Sequence, residues 1–242
     1  MISSAPLQIQ CTTCSFKEIC FPCESHNFFD KVDSVIRQSR RLRKGEYLFH
    51  AGEKFSSVFA IRTGYFKTSV NTSEGVDQVT GCFMSGEMLG LEGISAGVYT
   101  TDAVALEDSD VCELPFNRLE ELGKHIPGLH IHFYHLMSRE LVRLQNLMLL
   151  LGNMRSEERL AAFLLDLSRR LHCRGFSANE FILRMSREEI GSYLGLKLET
   201  VSRSLSKFSQ EGWIEVEHKY IKIIDAAALQ RLIAGYENKN ES

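Results

Sequence analysis

Apolar and polar positions change rhythm once along this chain. From about residue 40 to 116, short apolar runs alternate with turn signals: GEYLFHAGE, SVFAIRTGYFKTSV, QVTGCFMSGEMLG, DAVALED and SDVCELPF. Glycines recur at 45, 52, 64, 75, 81, 86, 90, 93 and 97, and no proline stands between 23 and 114. Many short strands with frequent turns predict a sandwich or roll. From 117 the rhythm becomes helical. Met137, Leu141, Leu144, Met148 and Leu151 are spaced 4, 3, 4 and 3, which is an a/d seam. A helix over 131–151 would run roughly 30 Å at 1.5 Å per residue. Its stripe can pack on the chain's own domain or on a second copy; narrowness and continuity favour the second copy. Gly152 then suggests a hinge, and Ser156, followed by Glu157, Glu158 and Arg159, is expected to cap the next helix. That helix, 156–172, turns Leu160, Phe163, Leu164, Leu167 and Leu171 to one side. Strands first and helices after make an α+β chain.

The most specific stretch is MSREEIGSYLGLKLETVSRSLSKF, residues 185–208. Ser186 is placed to cap a helix, with Glu188 or Glu189 reciprocating. Ile190 and Leu194 supply its buried face. Gly195 sits where two helices turn sharply and the backbone must go left-handed. Leu198, Val201, Leu205 and Phe208 form the inward side of a second helix; Glu199, Ser202, Arg203 and Ser206 face out. This predicts a helix-turn-helix whose second helix reads DNA; the plainer reading is an ordinary helical hairpin. Arg203 can donate two hydrogen bonds to guanine, Glu199 can accept from cytosine, and Ser202 suits several base edges. Arg187, Lys197 and Lys207 are placed to meet phosphates. EGWIEVEHKYIKI then reads as a hairpin, with Ile214 and Val216, a turn near His218 and Lys219, and Ile221 and Ile223. A hairpin after the helices makes a winged module.

Composition narrows the setting. A chain of 242 residues, 44% hydrophobic and 24% charged, reads as soluble and globular, as one large domain or two ordinary ones. Its longest greasy patch, LQNLMLLLG, is too short to cross a bilayer. MISSAPLQIQ lacks the basic flank and apolar core of a signal peptide, so a cytoplasmic protein with no membrane partner is expected. Net charge is −3. Residues 1–152 hold 14 Lys and Arg against 18 Asp and Glu, while 153–242 hold 14 against 13. So mild a basicity leaves DNA binding to rest on the motif, not on bulk charge.

Four of the seven cysteines fall in CTTCSFKEICFPC, residues 11–23. In a reducing compartment such clustering means metal or redox chemistry rather than disulfides. Cys23 completes C-x2-C-x5-C-x2-C, a local set able to hold zinc or an iron–sulfur cluster. Cys82 and Cys173 read as small core residues. His130, His132 and His135 gather near the start of the long helix, as a solvated helix end or, less simply, a metal site. The chain has no phosphate loop, HExxH or GxSxG, so an enzyme is not expected.

C-x2-C-x5-C at the start, VCELPF (111–116), MSRE, EERLAAFLLDLSRR, RGFS and ETVSR together resemble the CRP/FNR family of bacterial transcription factors. Within it they resemble the oxygen-sensing branch, and the resemblance runs from about 11 to 235. It implies a cyclic-nucleotide-binding-like antiparallel β-roll (jelly roll), a long dimerisation helix and a C-terminal winged helix-turn-helix. The segments would be 1–27 for cluster binding, 28–130 for the roll, 131–152 for the dimer helix and 153–242 for DNA. A homodimer on double-stranded DNA near TTGAT-N4-ATCAA is implied, with Glu199, Ser202 and Arg203 reading bases. The family ligands map to Cys11, Cys14, Cys20 and Cys112, holding a [4Fe-4S] cluster that oxygen converts toward [2Fe-2S]. Phe16, Ile19 and Phe21 would shield it, and a set using Cys23 stays open.

The same resemblance gives NTSEGVDQV (71–79), with Thr72, Gly75, Val76 and Asp77, as a loop that contacts RNA polymerase. There the family often has an acidic residue where Val76 stands. Gly86 and Glu87 match the family's nucleotide pocket, but its Arg-Ser is missing and no Arg follows through 117, so no cyclic nucleotide is expected. The oxygen-sensing branch also commonly carries an Asp in the stretch matching VRLQN, where this chain has Leu144. A leucine there is expected to strengthen the dimer and leave it less dependent on the cluster. Competing functions are a zinc-structured DNA-binding regulator without oxygen sensing and an iron–sulfur electron-transfer protein.

Overall fold

The computed structural model describes residue 14 and residues 38–71, 75, 77–125 and 129–237. Cys11, Cys20, Cys23, Phe16, Ile19, Phe21, Thr72 and Val76 lie outside the described residues. Two compact units divide the chain, Met1–Glu140 and Leu141–Ser242.

The first unit carries strands β1 (Gln38–Leu42), β2 (Tyr47–Phe49), β3 (Ser57–Thr63), β4 (Tyr65–Asn71), β5 (Asp77–Met84), β6 (Met88–Leu89), β7 (Asp102–Ala105) and β8 (Ser109–Pro115). They form two four-stranded antiparallel sheets, ordered β1-β8-β3-β6 and β2-β7-β4-β5. SVFAIRTGYFKTSV is therefore two strands, split at Gly64 and assigned to different sheets. Gly64 has φ 99°, and any Cβ there would collide with the Ser109 side chain. Only glycine allows the chain to change sheets so tightly.

Between the sheets, Leu42, Phe59, Ile61, Leu89 and Val111 of one meet Phe49, Phe66, Phe83, Ala103 and Ala105 of the other. Cys82 is also buried, as expected. Full burial of a large apolar side chain such as Phe66 or Ile61 contributes about 1.5–3 kcal/mol, so this layer holds the roll. The first sheet has a second covered face. Val58, Ala60, Cys112 and Leu114 alternate away from the roll interior and pack on Leu119, Leu129 and Leu136, with Phe133 and Leu122 at the margin. Those partners come from helices α2 (Phe116–His125) and α3 (Leu129–Asn153), which follow the short α1 (Gly93–Ala96).

Helix α3 extends two residues beyond the expected 131–151 at each end, and it runs unbroken through Gly152 rather than hinging there. At 1.5 Å per residue it is about 37 Å long. The division into units falls inside it. Its first residues, Leu129, Phe133 and Leu136, pack on the roll, while Leu151 is hydrogen-bonded within the second unit.

The second unit holds α4 (Ser156–His172), β9 (Glu180–Ile182), α5 (Arg187–Leu194), α6 (Leu198–Gln210), β10 (Ile214–Glu217), β11 (Tyr220–Ile223) and α7 (Ala226–Glu237). Leu160, Phe163, Leu164, Leu167 and Leu171 of α4 are all buried, as their spacing predicts. Ser156 is the first helical residue and not the cap. That place belongs to Arg155, whose backbone N–H donates to Glu158 Oε2 at 2.8 Å. Cys173 is exposed, contrary to the core expectation, because it follows the last helical residue and falls beyond the apolar face. Among the described residues no helix is long and apolar enough to cross a membrane.

Candidate nucleic-acid interface

Ser186 caps α5. Its Oγ accepts from the Glu189 N–H at 3.1 Å, and Glu189 Oε2 accepts from the Ser186 N–H at 2.6 Å. The reciprocal partner is thus Glu189, three residues on, as the capping box requires. Ile190 and Leu194 are fully buried beneath it. The chain then turns through Gly195, left-handed at φ 63°, and the Leu196 N–H returns to the Gly191 carbonyl at 2.8 Å.

Gly191 is a functional position that sequence reading missed. A Cβ there would stand 2.6 Å from the Leu196 backbone oxygen. The helix pair closes only because that side chain is absent. The signal was present, a glycine in a helix interior where it costs stability relative to alanine. Gly191→Ala is expected to lower stability by about 1–3 kcal/mol through overpacking; a urea melt of the purified protein measures it.

Helix α6 buries Val201, Ser204, Leu205 and Phe208. Leu198, expected on this face, is 43% exposed. At 100° per residue it lies about 70° from the centre of the buried set, and Ser204 takes the inner place instead. Glu199, Arg203 and Ser206 are exposed and Ser202 half-exposed, so the proposed base readers share the outer face. β10 and β11 pair with Ile214 opposite Ile223 and Val216 opposite Ile221. His218 and Lys219 make the two-residue turn, with His218 at φ 54°. β9, which was not foreseen, pairs on β11 to complete a three-stranded wing.

Of the three expected phosphate contacts, Lys197 is exposed, and the other two face protein groups. Arg187 Nη1 donates to Ser202 Oγ at 3.3 Å. Lys207 Nζ donates to both carboxylate oxygens of Glu157, at 2.9 and 2.8 Å. Those hydrogen bonds, and then the Glu157 charge, raise the Lys207 ammonium above the ordinary lysine range. Glu157 therefore holds the cation that was expected to meet a phosphate. Glu157→Gln is expected to release it and to steepen the slope of log K against log salt by about one phosphate contact. Titrations of a DNA site at several salt concentrations read that slope.

The seam residues Met137, Leu141, Leu144 and Met148 are exposed on α3, and Leu151 is half-buried. His132 is half-buried near the helix start. Burial, then neighbouring His135, lowers its pKa from the ordinary imidazole value. Cys14 is half-buried, and Cys112 is 7% exposed. Among the described residues no three His, Cys, Asp or Glu side chains gather as a metal-holding group. In the proposed polymerase loop, Gly75 is exposed at φ 77° and Asp77 pairs with Lys67 at 3.2 Å. At the pocket position, Glu87 Oε2 accepts from the Met84 N–H at 3.0 Å.

A capped helix pair with a polar, arginine-bearing second helix and a wing, joined in one chain to a β-roll and a long helix, defines a DNA-binding transcription regulator and not an enzyme. The chain matches a Crp-like helix-turn-helix domain over residues 158–232 and a cyclic nucleotide-binding domain over 39–125. It is 44% identical to the transcriptional activator protein anr of Pseudomonas aeruginosa, over 94% of each chain. It is 40% identical to the fumarate and nitrate reduction regulatory protein of Escherichia coli (strain K12), over 98% of this chain and 95% of that one. Among solved structures, FixK2 from Bradyrhizobium japonicum is similar with a TM-score of 0.75 at 31% identity, over 81% of this chain and 96% of that one. The chain belongs to the CRP/FNR family.

Proposed function

We propose that this protein is an oxygen-responsive transcription regulator of the cytoplasm. It acts as a homodimer on double-stranded DNA at a palindrome close to TTGAT-N4-ATCAA. Glu199, Ser202 and Arg203 read base edges, and Lys197 and Arg187 meet phosphates. Cys11, Cys14, Cys20 and Cys112 would hold a [4Fe-4S] cluster, and no cyclic nucleotide is used. Gly75 and Asp77, with Thr72 and Val76, would form the surface that meets RNA polymerase.

The observation that carries this reading is the place of Cys112. Its thiol lies on the outer face of the first sheet, in one apolar cluster with Leu129 and Leu136 at the start of α3. The donor chemistry fits: iron–sulfur clusters are held by thiolates, and an apolar surround limits solvent access. When bound, the cluster supplies an oxygen-labile cross-link between the N-terminal cysteines and the roll. Cys112 shares a packing layer with the start of the dimer helix. A change in its bonding is felt by Leu129 and Leu136, and so by the helix that carries the seam. A ligand shifts an equilibrium only by its different affinity for the two states; repacking of this cluster is where that difference would arise.

The test is purification without air, followed by absorbance, iron and sulfide assays, and DNA titration before and after admitting air. A brown protein that binds the palindrome, and that loses colour and affinity together in air, is expected. A colourless protein containing zinc, with the same DNA affinity in either condition, would favour the zinc-structured regulator instead.

A further inference from the structure

Arg159, in the first turn of α4, makes three hydrogen bonds to backbone carbonyls. Its Nη2 donates to Leu151 O at 2.7 Å, its Nε to Met154 O at 2.9 Å, and its Nη1 to Leu194 O at 3.1 Å. Leu151 is in the last turn of α3 and Met154 just follows it; Leu194 ends α5. The last carbonyls of a helix have no partner within the helix, and the helix dipole places partial negative charge there. Two helix C-termini thus converge on one guanidinium. A second observation places them against each other: a Cβ on Gly195 would come 3.3 Å from Arg159 Nη1 and 3.6 Å from Leu151 Cδ2. The end of the seam helix sits against the turn of the helix-turn-helix.

The chemistry of the side chain matters. A guanidinium is a rigid planar fork with donors in fixed directions, whereas an ammonium is a point charge on a flexible stem. Three carbonyls from two helix ends can share one guanidinium only in a narrow range of relative orientation. Leu141, Leu144, Met148 and Leu151 belong to the same compact unit as α5 and α6. In a dimer joined at that seam, the orientation of α3 against α5 and α6 sets the distance between the two reading helices. Half-site spacing follows from that distance.

We infer that Arg159 is a positioning residue for DNA recognition, whose grip on the ends of α3 and α5 sets the half-site spacing that the dimer accepts. The inference rests on the reading of the protein as a homodimer on a palindrome. Arg159 touches no base in this role; it acts through the placement of Glu199, Ser202 and Arg203.

The full-length protein, purified without air, is titrated against duplexes carrying TTGAT and ATCAA separated by three, four or five base pairs. Wild type, Arg159→Gln and Arg159→Lys are compared at one salt concentration. Arg169→Gln, at an exposed arginine paired with Asp166, controls for loss of one charge. Wild type and Arg169→Gln are expected to prefer the four-base-pair spacing by at least about tenfold, and the Arg159 variants to fall within about threefold across spacings. Arg159→Lys keeps charge and bulk, so it gives the reading if the glutamine variant does not fold. Equal weakening at all three spacings, with the wild-type preference intact, would show that Arg159 only stabilises the fold and would overturn the inference. A wild type that binds all three spacings alike overturns the palindrome reading itself, and the inference with it.

Discussion

Apo-protein carrying Leu144→Asp sediments as a monomer at micromolar concentrations where wild-type apo-protein sediments as a dimer. The expectation follows from what α3 leaves uncovered. Met137 is 40% exposed, Leu141 61%, Leu144 47% and Met148 72%. Val142 and Leu149, also exposed, widen the stripe. These residues recur with the heptad spacing that suits a facing helix, and Leu144 stands in the middle of the row. Burying one leucine contributes about 1.5–3 kcal/mol. A two-fold interface uses the position twice, so its loss weakens the dimer by roughly 3–6 kcal/mol, or about 10²–10⁴ in Kd. Two introduced carboxylates facing each other add repulsion, and their desolvation raises their pKa values. Acidification that protonates them is therefore expected to restore part of the dimer. Sedimentation of both proteins without cluster, at neutral and at mildly acidic pH, checks the prediction. A wild-type apo-protein that is already monomeric at these concentrations sinks the proposed role of Leu144.

The parts of this molecule that were legible in the sequence are those whose signals are local. Ser186 and Glu189 stand three residues apart, so the cap of α5 can be read directly. The bounds of α4 follow from one apolar face, and Gly195 from the sharpness of the turn. What stayed hidden depends on residues distant in sequence. Lys207 meets Glu157 across 50 positions and Arg159 meets Leu194 across 35. Neither pairing leaves a periodicity to read. Two residues that look poised for phosphate are thus partly engaged within the protein, and an arginine that looks like an ordinary first-turn residue joins two helices. The strands show the same division. Short strands were evident from turns and alternation, but the pairing of β8 between β1 and β3 was not. That pairing makes SVFAI apolar on both faces, because one face lines the roll and the other meets α2 and α3.

Cys112→Ala is expected to remove the visible absorption of the anaerobic protein and its oxygen-dependent DNA binding, while Cys23→Ala leaves both in place. The two substitutions separate the proposed ligand sets, since each removes one candidate fourth thiolate. The cost to the fold is small at Cys112. Its backbone register with Ser39 and Ala60 in β1 and β3 does not depend on the side chain. Deleting one buried sulfur opens only a small cavity, with a cost of roughly 1 kcal/mol. A thermal melt therefore distinguishes loss of a ligand from loss of the roll. Cys112→Ser nearly preserves the volume of the thiol; if the absorption depended only on packing against Leu129 and Leu136, serine would retain it and alanine would not. Loss in both variants points to the thiolate. The reverse pattern, a coloured Cys112→Ala and a colourless Cys23→Ala, would confine the cluster to the N-terminal cysteines. Cys112 would then be an ordinary core residue, and the path from oxygen to the dimer helix could not begin at its side chain.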